Sequence, residues 1–288
     1  MKPSPAFNLL AQAEGWLLLG ALGCYGLAML LLWAHLFARD DEPPERGRAW
    51  HEVAELGSLC LLFVGANLHA LSLLGQGSAV WGERGGVAGV FGCALVAAYL
   101  GWRQRVGQST LGAFVTPVAF GAALFSLASP DLHPYIPQQQ LEAQWLVLHV
   151  LLTLGGYVAL AFAFASSVIY LVQDGLLKRK RLKGLWQRLP SLQVADEVIA
   201  RATQCGLVLL SLGLGTGLAW TARHPSGYVF WRDPKVLFSL ATWLTFALYV
   251  GARGALGWRG RRTNLVVVYG FVLLVLSFLG APHLVAGR

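Results

Sequence analysis

Apolar positions in this chain do not alternate with polar ones; they run in long blocks broken by short polar stretches. A block of roughly 20 apolar residues, with about 17 to 25 tolerated, is what carries an α-helix across a bilayer core. Eight blocks meet that length, at about residues 15–38, 53–75, 86–102, 110–128, 145–173, 199–221, 236–252 and 264–282. The third and seventh are short, and the fifth is long enough to tilt or to project beyond the core.

The connections alternate in charge. Arg39, Arg46 and Arg48 follow the first block, and Arg103 and Arg105 the third. Lys178-Arg179-Lys180-Arg181 with Lys183 and Arg188 follow the fifth, and Arg253, Arg259, Arg261 and Arg262 the seventh. With Arg201 counted on the same side, sixteen basic residues lie on one side and six on the other. Lys and Arg accumulate on the cytoplasmic side of membrane proteins. The expected architecture is therefore an all-α polytopic membrane protein, an eight-transmembrane-helix bundle with both termini outside. The largest cytoplasmic connection spans 174–197, where Leu and Trp alternate irregularly with basic residues, which suits a helix lying on anionic lipid. A docking surface for a cytosolic partner at 178–188 is the alternative. Pro190 is expected to end that helix, and the next span to begin after Asp196 and Glu197.

Composition narrows the class further. Hydrophobic residues make up 56% and charged residues 12% of the 288, with a mean hydropathy of +0.57. An ordinary soluble domain carries about 25% charge, so a soluble enzyme is excluded. The net charge of +8 is confined to the connections, which removes nucleic acid as its explanation. Cys24, Cys60, Cys93 and Cys205 stand singly in apolar blocks, so no thioredoxin-like pair, zinc knuckle or covalent haem-attachment motif is present. The first block is long enough to span and lacks the signal-peptide pattern, so it reads as a retained helix. There is no internal repeat.

No metal signature, phosphate-cradling Gly-rich loop or nucleophile–base pattern appears. What remains is seven histidines, several at membrane depth, where ionisable residues are costly and are functional candidates by default. His149 lies near the outer end of the fifth span and His283 at the outer end of the eighth. Between them runs an outer loop bounded by Trp220 and Lys235 that contains Tyr228, Phe230, Trp231, Arg232 and Asp233. A planar, hydrophobic, anionic ligand such as a porphyrin suits that face: aromatic rings stack on it, two imidazoles approach its iron, and Arg232 or Lys235 pairs with propionates. The competing readings are ordinary: belt aromatics, an interfacial histidine, and Asp233-Pro234 as a helix start. His69, in the outer half of the second span, is a further intramembrane candidate. His35, His51, His133 and His224 have ordinary surface or loop roles.

Several stretches resemble the cytochrome c assembly family, which includes CcsA-type haem handlers and HemX-type proteins. They are LeuSerLeuGlyLeuGlyThrGlyLeuAlaTrp220, GlyTyrValPheTrpArgAspProLys235, SerLeuAlaThrTrp243, TyrValGlyAlaArg253 and GlyTrpArgGlyArgArg262, with TrpLeuValLeuHis149Val upstream. The resemblance covers about residues 50–288. It makes 1–50 a first transmembrane helix and cytosolic loop, and 51–288 the family-like membrane domain, one integral membrane unit. It implies haem b held by His149 and His283 on the outer, periplasmic face of a bacterial inner membrane. The Trp220–Lys235 region would display that haem to apocytochrome c, and a CcsB-like membrane protein would be a partner. Such a protein presents haem and needs no catalytic acid–base pair. The loop departs from the family's tryptophan pattern: Ser226, Phe230 and Arg232 stand where tryptophans are expected, and Gly251 stands where a membrane histidine is expected. The rival expectation is a HemX-type regulator of glutamyl-tRNA reductase level, acting through a cytosolic partner without haem transfer. A transporter of an unrelated solute is the third class.

Overall fold

A computed structural model of the chain describes residues 5–38, 44–81, 84–106, 110–129, 144–180, 189–223 and 233–280. Among these the regular structure is helical, with no strand. The helices are α1 (Pro5–Phe37), α2 (Pro44–Gln76), α3 (Arg84–Val106), α4 (Gly112–Ala128), α5 (Gln144–Lys178), α6 (Leu192–Arg223), α7 (Pro234–Ala255) and α8 (Arg261–Gly280), with a short 3₁₀ turn at Gly77–Trp81. Seven of them are long and apolar enough to cross a membrane. Where the fourth span is expected lies α4, which at 17 residues falls outside those seven and is about 25 Å long at 1.5 Å per residue. The third and seventh are full-length helices, not the short spans that hydropathy suggested.

Local chemistry sets the boundaries that hydropathy misses. Asp233 caps α7 by accepting the Lys235 backbone N–H at 2.8 Å, and Pro234 occupies the first turn, where its missing N–H costs nothing. The helix therefore starts before its first apolar residue. At α6 the Ser191 carbonyl accepts the Ala195 N–H at 3.0 Å and its hydroxyl lies 3.4 Å from the Val194 N–H. Asp196 and Glu197 are thus inside the helix and not ahead of it. Both oxygens of Asp196 are taken by Arg253 of α7, at 2.9 and 2.6 Å.

The chain divides into two compact units, one carrying α1–α4 and the other α5–α8. In the first, α1 packs on α2 and α4, and α3 on α2 and α4, so the four helices close a ring. Pro117 lies inside α4 and has no N–H to offer the carbonyl four residues back. That carbonyl, on Ala113, accepts the Trp33 indole Nε1–H of α1 at 2.8 Å, so the defect in one helix becomes a tie to another. Glu55 of α2 pairs with Arg103 of α3. Large apolar side chains such as Leu74, Phe63 and Leu56 point outward, as they do on lipid-facing helix surfaces.

In the second unit α5 packs on α6 and α8, and α7 closes the ring between α8 and α6. Phe164 of α5 stacks on Phe271 of α8, with centroids 4.5 Å apart. The α5–α6 seam is made of small residues. A Cβ on Gly206 would fall 2.7 Å from Leu160 Cγ, and one on Gly156 would fall 3.2 Å from the Gly206 carbonyl. Such absent side chains let two backbones approach where van der Waals contact replaces the hydrophobic effect as the main attraction.

The Trp33–Ala113 bond gives a stability prediction. Trp33→Phe should cost about 1–3 kcal/mol by leaving a carbonyl unsatisfied. Pro117→Ala, which restores the helical N–H, should reduce that cost. A double-mutant cycle of thermal unfolding in detergent measures the coupling, and additive effects would refute it.

Candidate functional site

The site is built on the end of the second unit where α5 begins, α6 ends, α7 begins and α8 ends. His149 sits in the second turn of α5. Its Nδ1 lies 2.7 Å from the Gly213 carbonyl of α6 and 3.4 Å from Thr216 Oγ1. Thr216 donates its own hydroxyl to the same carbonyl at 2.7 Å. The ring lies over Gly217, where a Cβ would fall 2.9 Å from His149 Cε1 and 3.1 Å from Nδ1, but 3.9 Å from Nε2. Nε2 is therefore the ring nitrogen turned away from α6. One turn farther along α5, Thr153 returns its hydroxyl to the His149 carbonyl at 2.9 Å. A Cβ on Gly213 would fall 2.5 Å from Thr153 Cγ2, so the approach that brings the carbonyl to the imidazole requires glycine there.

Asp233 is fully buried and engaged in capping α7, so its carboxylate belongs to the start of that helix. Two residues on, Lys235 holds its ammonium 5.7 Å from the centroid of the Phe278 ring of α8, a cation–π distance. The other edge of this cluster is Tyr157 of α5, edge-on to Phe278 with centroids 6.5 Å apart. His149, Asp233 and Lys235 thus share one end of one unit. His283, Tyr228, Phe230, Trp231 and Arg232 lie outside the described residues, as does the Trp220 side chain, although its backbone belongs to α6. Gly251 faces open space, with nothing within 4 Å of a Cβ placed there.

His69 belongs to the other unit and has a different environment. It is fully buried, with Nδ1 3.4 Å from the Tyr25 hydroxyl of α1. Its Nε2 faces Gly89 of α3, where a Cβ would fall 3.2 Å from that nitrogen and 2.9 Å from Ser126 Oγ of α4. This is a close-packed pocket. A methyl group over Gly89 would force the Ser126 hydroxyl to shift.

Sequence reasoning named His149 but missed Gly213, Thr216 and Gly217, which hold it, and Phe278, which carries the Lys235 ammonium. The available signal was the spacing of glycines at 206, 213 and 217, which lie on one face of a helix.

The family model for the cytochrome c assembly protein matches residues 88–286. The chain belongs to that family. The match begins within α3, so α1 and α2 lie outside it. Among similar proteins are the cytochrome c biogenesis protein CcsA of Synechococcus sp. strain CC9902, 29% identical over 62% of this chain, and that of Parasynechococcus marenigrum, 30% identical over 62%. Each of those matches covers 66% of the relative's own length, just under two thirds. The CcsA of Guillardia theta is 28% identical over 68% of this chain and 70% of its own. No solved structure matches the chain. The family and the seven apolar helices together make this a multi-pass membrane protein.

The capping role of Asp233 predicts that Asp233→Ala lowers stability by about 1 kcal/mol while Asp233→Ser retains most of it. Thermal unfolding of the purified protein measures both; equal loss in the two variants would mean that the carboxylate does more than cap.

Proposed function

We propose that this protein binds haem b at the His149 end of its second unit and presents it to apocytochrome c during cytochrome c maturation. The observation that carries the reading is the hydrogen bond from His149 to the Gly213 carbonyl. A carbonyl oxygen only accepts, so Nδ1 carries a proton, and in the neutral imidazole the lone pair is then on Nε2, the arrangement of a metal-ligating imidazole whose other nitrogen is held by a backbone carbonyl. The donor set fits haem iron in that respect. The family membership and the CcsA relatives support the same direction.

In this reading His149 and His283 are the two iron ligands. Tyr228, Phe230, Trp231 and Trp220 supply aromatic faces, and Arg232 and Lys235 meet the propionates. Asp233 and Pro234 fix where the loop joins α7. Haem b, when bound, supplies the vinyl groups that take up the thiols of an apocytochrome C-x-x-C-H motif as thioethers. The protein's own residues bind, orient and keep the group at the surface, without an acid–base pair. This reading gives His69 no part in the site.

The charge asymmetry of the connections supports a topology of eight crossings, α4 being the shortest, with both termini and the 224–232 loop outside. We assign the protein to a bacterial inner membrane with that loop on the periplasmic side, and the family resemblance implies a CcsB-like membrane partner. Segment 178–188 remains the candidate surface for a cytosolic partner. The names of the relatives favour assembly over a HemX-type regulatory role.

The test is the absorption spectrum of protein purified in mild detergent from haem-replete cells. We expect a Soret band with sharp reduced α and β bands, lost in His149→Ala and in His283→Ala and kept in His69→Leu. A folded, monodisperse wild type without haem would overturn the proposal.

A further inference from the structure

We infer that the turn Gly213–Gly217 of α6 is the positioning element of this site. It fixes His149 as the Nδ1–H tautomer and aims Nε2 as the sole ligating nitrogen. The inference rests on the haem reading for the identity of the ligand, but not for the state of the imidazole.

Three features of the turn act on one ring. The Gly213 carbonyl takes the Nδ1 proton at 2.7 Å, which determines the tautomer. Gly217 lacks the Cβ that would fall 2.9 Å from Cε1, so the ring can lie against the helix with its Cε1–Nδ1 edge inward. Thr216 adds a second side-chain donor, its hydroxyl, to the Gly213 carbonyl at 2.7 Å. These two side-chain donors share the oxygen with the helix's own N–H four residues on, so Thr216 lowers the accepting capacity that reaches His149. Gly215 on the same turn has nothing within 4 Å of a Cβ, so the requirement for glycine is confined to the face that meets the ring. The glycine-rich end of α6 thereby acquires a role: it is a receptor for an imidazole 64 residues earlier in the chain.

Substitutions at the two glycines should separate position from fold. Histidine-selective ¹⁵N NMR is recorded on the full-length, haem-free protein in detergent, with the His149 signals identified by their loss in His149→Gln. We expect the Nδ1–H pattern for His149 in the wild type and in Gly215→Ala. In Gly217→Ala, with helicity retained by circular dichroism, the pattern should be lost and haem affinity should fall by about 10- to 100-fold, as for the removal of other partners of metal-bound histidines. Thr216→Val provides a milder variant. It should keep the tautomer and shift the Nδ1–H proton downfield as the competing donor disappears.

A wild-type His149 that carries its proton on Nε2, or exchanges between the two nitrogens, would overturn the inference. So would a Gly217→Ala variant unchanged in both tautomer and haem affinity, or an unshifted Nδ1–H in Thr216→Val. If the tautomer behaves as expected but the wild type binds no haem, the positioning role stands and the haem reading fails.

Discussion

Among helices surrounded by lipid, burying a leucine gains little, because the tails are as apolar as the side chain. Association then depends on close contact and on directed hydrogen bonds. That constraint organises both units. It makes the α5–α6 seam a line of missing side chains at Gly156, Gly206 and Gly213, and it gives each polar tie a disproportionate part in registration. Trp33 meets the carbonyl that Pro117 leaves over, Arg253 holds both oxygens of Asp196, and Tyr25 meets His69 inside a closed ring of four helices. The candidate site follows from the same seam. Only because α5 and α6 lie close does a helical carbonyl come within 2.7 Å of a side chain on the other helix.

The spans were legible in the sequence because twenty apolar residues in a row admit few other structures. Their ends were less so. Hydropathy sees Asp196 and Glu197 as a boundary, whereas the helix begins at Leu192 and neutralises Asp196 with an arginine 57 residues on. For α7 the capping pattern Asp233-Pro234 was readable, and it is what places the start. The tie that Pro117 creates to Trp33 depends on how α1 lies against α4, which no local pattern encodes. The site was half legible for the same reason. His149 stands out as an ionisable residue at depth, while Thr216 and Gly217 gain meaning only from the register of α6 against α5.

His149, half-buried, and His69, fully buried, show why residue type alone does not assign a role. Both stand in apolar spans and both have Nδ1 near an oxygen. His149 faces a carbonyl, which must accept, and its Nε2 is turned away from the supporting helix. His69 faces a hydroxyl, which can accept or donate, and its Nε2 abuts Gly89 within a closed ring. The helix that meets His149, α6, ends where segment 224–232 begins, and Asp233 starts α7 directly after it.

The family match begins at residue 88, inside α3, yet α3 does not end where its folding partners end. It packs on α2 as well as on α4, and α1 closes the ring with α4 through Trp33. A boundary of homology is therefore not a boundary of cooperativity. A fragment cut at the edge of the match would bare the face of α3 that carries Gly89 and would return the Ala113 carbonyl to an unsatisfied state. For expression or for fusion to another chain, the indivisible length is set by the ring of four helices, and it reaches back through α1.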